Sequence, residues 1–331
     1  MNNNIGVMQG RLLPKYQGRY QAHPVNYWQN EFEIAKNIGL DCIEFILDFN
    51  DAEINPLLKD GGAEEIKRIS KETGVIVKTI CADYFMESPL HSPNNKVSQR
   101  SQKAMMKLLE IAKYLNITDI VIPCVDQSTL DGKEAINRFV EKLQPLVCVA
   151  EEYKINLSLE TDLAPLPFAE LLRRFNSHRV TVNYDIGNSA ALGFDPIEEL
   201  NSYGDKITDI HIKDRVLGGE SVVLGEGDVD FLIFFNKLKE FDYQGPFIMQ
   251  AYRDEEGIDI FKKQLGKNSD FFSYPFGEYS IGFREIIKSL GFKYAFGQHS
   301  GVIDETKDFY ELPRFPINEK YGEIERFTSL T

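Results

Sequence analysis

Four polar residues close or nearly close apolar, β-branched runs in the second half of this chain. Glu160 lies at the end of "INLSLET", Asp185 ends "RVTVNYD", His211 sits in "ITDIHIKD" and Gln250 in "PFIMQA". Glu, Asp and His are hard or borderline ligands for a divalent cation. The side-chain oxygen of Gln250 adds a weaker, neutral fourth donor. A single Asp at a strand end is ordinarily a cap or turn residue, and "VTVNYDIGN" (180–188) permits that reading of Asp185. The same placement on four successive runs favours the other reading, a metal site assembled from residues far apart in sequence.

Such residues meet only if the strands bearing them lie side by side and point the same way. Strand-like runs occur at 5–9, 42–47, 75–83, 119–124, 155–161, 179–185, 207–214 and 246–251. Amphipathic stretches with helical spacing alternate with them, among them "EFEIAKNIG", "GAEEIKRISKETG", "SQKAMMKLLEIAKYLN" and "FLIFFNKLKEFDY". Gly39, Gly74 and Gly245 fall just after helical stretches, where a helix-ending residue belongs. Eight β/α repeats in roughly 250 residues are the count and length of a (β/α)8 barrel. A doubly wound open sheet shows the same alternation, but no G-x-G-x-x-G follows the first strand; "GVMQGRLLP" is a poor match. The fold expected is therefore α/β, a TIM barrel with a C-terminal α/β appendage. In a barrel, strand ends converge on one mouth.

Other residues expected near that mouth can contact a substrate. Arg11 and Lys15 follow strand 1, and Lys213 and Arg215 follow His211; each suits a phosphate or sugar hydroxyl. For Lys15 the simpler reading, a solvated loop lysine, is preferred. Asn188 in the same segment as Asp185 joins the expected substrate contacts. Glu44, inside "CIEF", is costly to bury unless paired or functional, and is taken as a catalytic, substrate-contacting or supporting carboxylate. His91, in the long "ESPLHSPNN" segment, is a candidate for covering the site.

Composition narrows the class. The chain has 331 residues and a net charge of -14, which argues against nucleic acid or an anionic membrane as partner. No apolar run approaches the roughly 20 residues needed to span a bilayer. The start "MNNNIGVMQG" shows no signal-peptide pattern. Cys42, Cys81, Cys124 and Cys148 show no CxxC spacing, and three lie in apolar runs, the pattern of buried free thiols in a reducing cytoplasm.

From about Ile5 to Asp254 the chain resembles the xylose-isomerase-like TIM-barrel superfamily of sugar (phosphate) isomerases and epimerases. The resemblance rests on "GVMQGRL", "CIEF", "CADYFM", "LSLETD", "NYDIGNSAALG", "HIKDR" and "PFIMQ", and is nearest to hexulose-6-phosphate isomerase-like and hexulose epimerase-like members. It implies a divalent metal (Mn, Mg, Co or Zn) held by Glu160, Asp185, His211 and, where the family usually has Glu, Gln250. In the epimerases the strand-5 and strand-8 glutamates also form the acid/base pair. Gln250 departs from that pattern, because an amide cannot accept and return a proton. A single base, Glu160, shuttling one proton between adjacent carbons suits isomerisation better than inversion. The endonuclease IV branch is disfavoured: it uses many histidines, and of the five here only His211 fits the constellation.

The aromatic-rich segment 268–318 has its own strand–helix–strand pattern. It resembles the C-terminal part of polysaccharide deacetylases in "FSYPFGEY", "LGFKYAFGQHSG" and "LPRFPIN", without that family's Asp-Asp pair or H-x-x-x-H motif. The boundaries expected are a barrel over 1–266 and this fragment over 267–331. Its expected role is a structural or dimerisation appendage, compatible with a homodimer, in preference to a sugar-contacting lid. The function expected is a metal-dependent isomerase or epimerase of a sugar or sugar phosphate, acting through an enediolate. The alternatives are a metal-dependent dehydratase of a polyol ketone and a degenerate, non-catalytic barrel.

Overall fold

The computed structural model describes residues 3–19, 21–253, 271–273, 284, 288, 293–297 and 308–313. The chain divides into two compact units, Met1–Gln264 and Leu265–Thr331.

The first unit is a closed, all-parallel barrel of eight strands in sequential order. They are β1 (Ile5–Met8), β2 (Cys42–Ile46), β3 (Ile76–Cys81), β4 (Asp119–Cys124), β5 (Asn156–Thr161), β6 (Val180–Asp185), β7 (Ile207–Ile212) and β8 (Phe247–Met249). Closure comes from β1 pairing with both β2 and β8. Each strand is walled by its neighbours inside and by helices outside, so β2, β4 and β6 are buried at every position. That burial is why these runs read as continuous apolar sequence. Met8, Cys42, Ile46, Cys81, Val121 and Ile248 pack together as one core cluster.

The outer helices begin and end where local chemistry dictates. Asn94 caps Asn95–Leu115 by accepting from the Lys96 N–H at 3.0 Å. Pro165 opens Pro165–Arg173 at a position that needs no N–H. Gly74, with φ +83°, ends Gly62–Thr73 in the left-handed region. Gly39 is likewise left-handed, at φ 75°.

Gly245 departs from expectation. The turn before β8 is closed instead by left-handed Asp242, at φ 46°. Gly245 is required for space, because a Cβ there would stand 2.1 Å from the Thr208 carbonyl oxygen. The seventh crossover begins with a short antiparallel ribbon, Asp214–Arg215 against Ser221–Val222, before the helix Phe231–Leu238.

Two register shifts shape the mouth. Between β2 and β3 the pairing passes from Ile43–Val77 to Glu44–Thr79, and between β6 and β7 from Val182–Ile207 to Asn183–Asp209. Each skips one residue, turning the following side chains to the same face as their neighbours.

In the second unit, Phe271–Ser273 and Tyr294–Phe296 form a two-stranded parallel sheet, and Phe296 bridges to Leu312. Arg284 and Lys288 are helical, and Arg284 Nη1 donates to Glu311 at 3.0 Å. The helix expected at 257–265, the 266/267 boundary and most of the deacetylase-like motifs lie outside the described residues. No helix among the described residues is long and apolar enough to cross a membrane.

Candidate metal centre

The C-terminal ends of β5, β6 and β7 bring Glu160, Asp185 and His211 together: one ligand atom from each lies within 4.8 Å of the others. The register places Asp185 directly beside His211, and Ile248 of β8 on the other side of His211, two residues before Gln250. His211 Nδ1 faces Asp185 Oδ2 at 3.7 Å and Glu160 Oε2 at 4.0 Å.

Asp185 resolves its two readings by splitting its oxygens. Oδ1 accepts from the Asn188 N–H at 2.8 Å, capping the helix Ile186–Leu192. Oδ2 faces the cluster and meets Lys213 Nζ at 2.7 Å. Burial would raise its pKa, but Lys213 and His211 outweigh it and hold the carboxyl well below the usual range. Gly187 makes this possible, since a Cβ there would stand 2.5 Å from Lys213 Cγ.

Glu160 is held at both oxygens. Asn183 Nδ2 donates to Oε2 at 3.2 Å and Asn188 Nδ2 to Oε1 at 2.7 Å. Burial, then the charge of Asp185, pushes its pKa up to about 7. Asn188 in turn accepts from Arg215 Nη1 at 2.7 Å, while Arg215 Nε and Nη2 hold the Gly219 carbonyl. The expected substrate contacts Asn188, Lys213 and Arg215 therefore ring the cluster and orient its carboxylates.

His211 is wholly buried, and its far nitrogen Nε2 lies 2.7 Å from Glu44 Oε1. Thr79 Oγ1 donates to the other Glu44 oxygen at 2.7 Å, a pairing set by the β2–β3 register shift. Burial alone would lower the His211 pKa, but the charges of Glu44, Asp185 and Glu160 raise it well above its ordinary value. Asn183 Nδ2 also stands 3.2 Å from Nδ1, so an Nε2–H tautomer directed at Glu44 leaves the Nδ1 lone pair facing the carboxylates.

Glu44, expected as a catalytic carboxylate, has no exposed surface and spends both oxygens on His211 and Thr79. With no exposed surface and an oxygen on His211, Glu44 fits the supporting reading among those expected of it. His91 stands apart. Its ring packs on Phe139 at 6.1 Å and its carbonyl accepts from Arg138 Nε at 2.9 Å, both on the helix Gly132–Tyr153. Arg11 is buried under the mouth, donating to the Ala251 carbonyl at 3.3 Å and Gln21 Oε1 at 3.0 Å.

Gln250 donates through Nε2 to Gln21 Oε1 at 3.2 Å, and its own Oε1 is a buried acceptor with no donor. This orphaned amide oxygen, two residues past the β8 partner of His211, joins two carboxylates and an imidazole as donor types a divalent cation satisfies. Sequence reasoning passed over Asn183, Gln21, Asp83 and Asp209. Asp209 is fully buried beside Glu44 and His211, with its pKa driven well up by burial and by Glu44. The inward periodicity of β7, where Asp209 precedes His211 by two, was the available signal.

Comparison with known proteins agrees with this architecture. Residues 32–271 match the family described as xylose isomerase-like TIM barrel. The L-ribulose-5-phosphate 3-epimerase UlaE of Escherichia coli O1:K1 / APEC is 28% identical over 237 residues, covering 69% of this chain and 83% of its own length. Among solved structures, the apo 3-keto-D-glucoside 4-epimerase YcjR from E. coli aligns with a TM-score of 0.62 at 19% identity, over 80% of this chain and 98% of that one. The IOLI protein, solved with a zinc atom, aligns with a TM-score of 0.62 at 19% identity, over 79% and 96%. With a family match spanning most of the barrel and a closed eight-stranded sheet to go with it, this chain belongs to the xylose isomerase-like TIM barrel family.

Proposed function

We propose that this protein is a divalent-metal-dependent epimerase of a ketose or ketose phosphate. The observation that carries the reading is the convergence of Glu160, Asp185 and His211 at one mouth, with the unsatisfied Gln250 oxygen as fourth donor. A divalent cation held by these four groups would polarise the substrate carbonyl and offset the negative charge that develops as the neighbouring C–H proton leaves. Glu160 accepts that proton: its carboxylate is fixed in orientation by the Asn183 and Asn188 amides. Glu44 and Lys213 hold His211 and Asp185 in place rather than touch the sugar. The curated relative's name, a 3-epimerase, favours inversion over the aldose–ketose isomerisation that a lone base would suit.

The test is a panel of ketoses and ketose phosphates, incubated in D2O with the Mg²⁺-loaded protein and followed by NMR. Inversion next to the carbonyl with deuterium uptake is expected. Glu160→Gln should lower the rate by about 10³-fold, within the usual range for a general base. Turnover of Glu160→Gln at the wild-type rate would refute the assignment. Loss of hydroxide from the substrate would mark a dehydratase, and metal binding without any turnover a non-catalytic barrel.

A further inference from the structure

Gln250 cannot serve as one of the two proton carriers that inversion ordinarily needs, and its hydrogen bonds connect it through Gln21 to other groups of the mouth. Gln21 lies between three strand ends. Its Oε1 accepts from Arg11 Nη2 at 3.0 Å and from Gln250 Nε2 at 3.2 Å. Arg11 can only donate, so this fixes which end of the Gln21 amide is oxygen. Gln21 must then turn its NH2 the other way, where Nε2 meets Asp83 Oδ2 at 3.2 Å. The same logic fixes Gln250: its NH2 is committed to Gln21, and its oxygen is left for a cation. A glutamate at 250 would set a carboxylate against the Gln21 oxygen, so this network specifies an amide there. It also leads to a different carboxyl.

Resting on the epimerase reading above, we propose that Asp83 is the second acid–base residue of the reaction, taking the part that a strand-8 carboxylate would otherwise play. Asp83 lies two residues past the end of β3, at the mouth, and keeps part of its surface exposed. Glu44 has none, and Asp185 is bound to Lys213. Cys81 Sγ stands 3.2 Å from the other Asp83 oxygen. Burial raises the Asp83 pKa to about 6, a value suited to carrying a proton near neutrality. Both carboxyls stand at the C-terminal ends of barrel strands, on the same mouth. Glu160 sits on β5 and Asp83 beyond β3, two strands apart around the barrel.

The step balances without any further reactant. The C–H bond beside the carbonyl breaks, its proton passes to the Glu160 carboxylate, and the electron pair enters the enediolate. The Asp83 carboxyl then delivers its proton to the opposite face of the same carbon, forming the new C–H bond and leaving Asp83 ionised. Exchange with water returns both groups to their starting states, and the reverse reaction swaps their roles.

The experiment uses full-length, Mg²⁺-loaded protein with L-ribulose 5-phosphate and, separately, its C3 epimer in D2O, read by NMR. Asp83→Asn should still exchange the C3 hydrogen of the one epimer whose proton Glu160 removes. Inversion should fall by about 100-fold or more, as for loss of one acid–base group. Asp83→Ser should show the same split, and both variants should bind Mn²⁺ as wild type does. Asp83→Asn that inverts at the wild-type rate, or that loses exchange of both epimers equally with inversion, overturns the proposal. Wild type that neither exchanges nor inverts any ketose of the panel would instead refute the epimerase reading, and the Asp83 role with it.

Discussion

Glu31 shows how much a single buried carboxylate can govern away from the reacting atoms. It is fully buried and accepts the Gly10 N–H at 2.8 Å and the Leu12 N–H at 3.0 Å, pinning the loop that carries Arg11. Arg253 Nη1 braces that loop from the other side, donating to the Gly10 carbonyl at 3.0 Å and the Arg11 carbonyl at 2.7 Å. Burial, working against those donors, pushes the Glu31 pKa up to about 7 from 4.5. The folded state therefore holds a proton that the unfolded chain has released between about pH 4.5 and 7, so stability falls as pH rises through that window. Urea midpoints at pH 5, 6 and 7 should show this fall, and Glu31→Gln should remove close to one proton from its slope; an unchanged slope would contradict the assignment. At this scale the sequence told of Glu160, Asp185, His211 and Gln250 because each follows a long apolar run. It was silent on Gln21 and Asn183, whose partners lie far away in the chain, while His91, a candidate for covering the site, packs on Phe139.

At the scale of elements, eight β-branched runs separated by amphipathic stretches were enough to expect the barrel, because strands buried on both faces leave no polar alternation. The two register shifts left no trace in the sequence, yet they pair Glu44 with Thr79 and Asn183 with Asp209. The run expected over 207–214 reaches past the strand, which ends at Ile212, and takes in Asp214, the first residue of the antiparallel ribbon that follows. Gly245 was credited with ending a helix, but its constraint is a neighbour. Gly245→Ala would drive a methyl to 2.1 Å from the Thr208 carbonyl oxygen and 2.5 Å from Tyr243 Oη. Backbone that cannot yield should make this cost about 1–3 kcal/mol, the range for overpacking. A denaturation midpoint equal to wild type would show that the β7–β8 junction is looser than the geometry indicates.

For the whole molecule, the barrel serves to gather groups that are far apart in sequence, from Glu44 to Gln250, onto one mouth. Carboxylates and an imidazole crowded there repel or titrate one another unless a cation joins them, and Lys213 and His211 supply only part of that charge. Binding of a divalent cation by these groups is therefore the central expectation. Calorimetric titration of chelator-treated protein with Mn²⁺ should find one site per chain. Asp185→Asn and His211→Ala should each weaken it by more than the roughly 10–100-fold typical of losing an outer-shell partner. Wild-type protein that binds no divalent ion, or variants that bind as tightly as wild type, would contradict it.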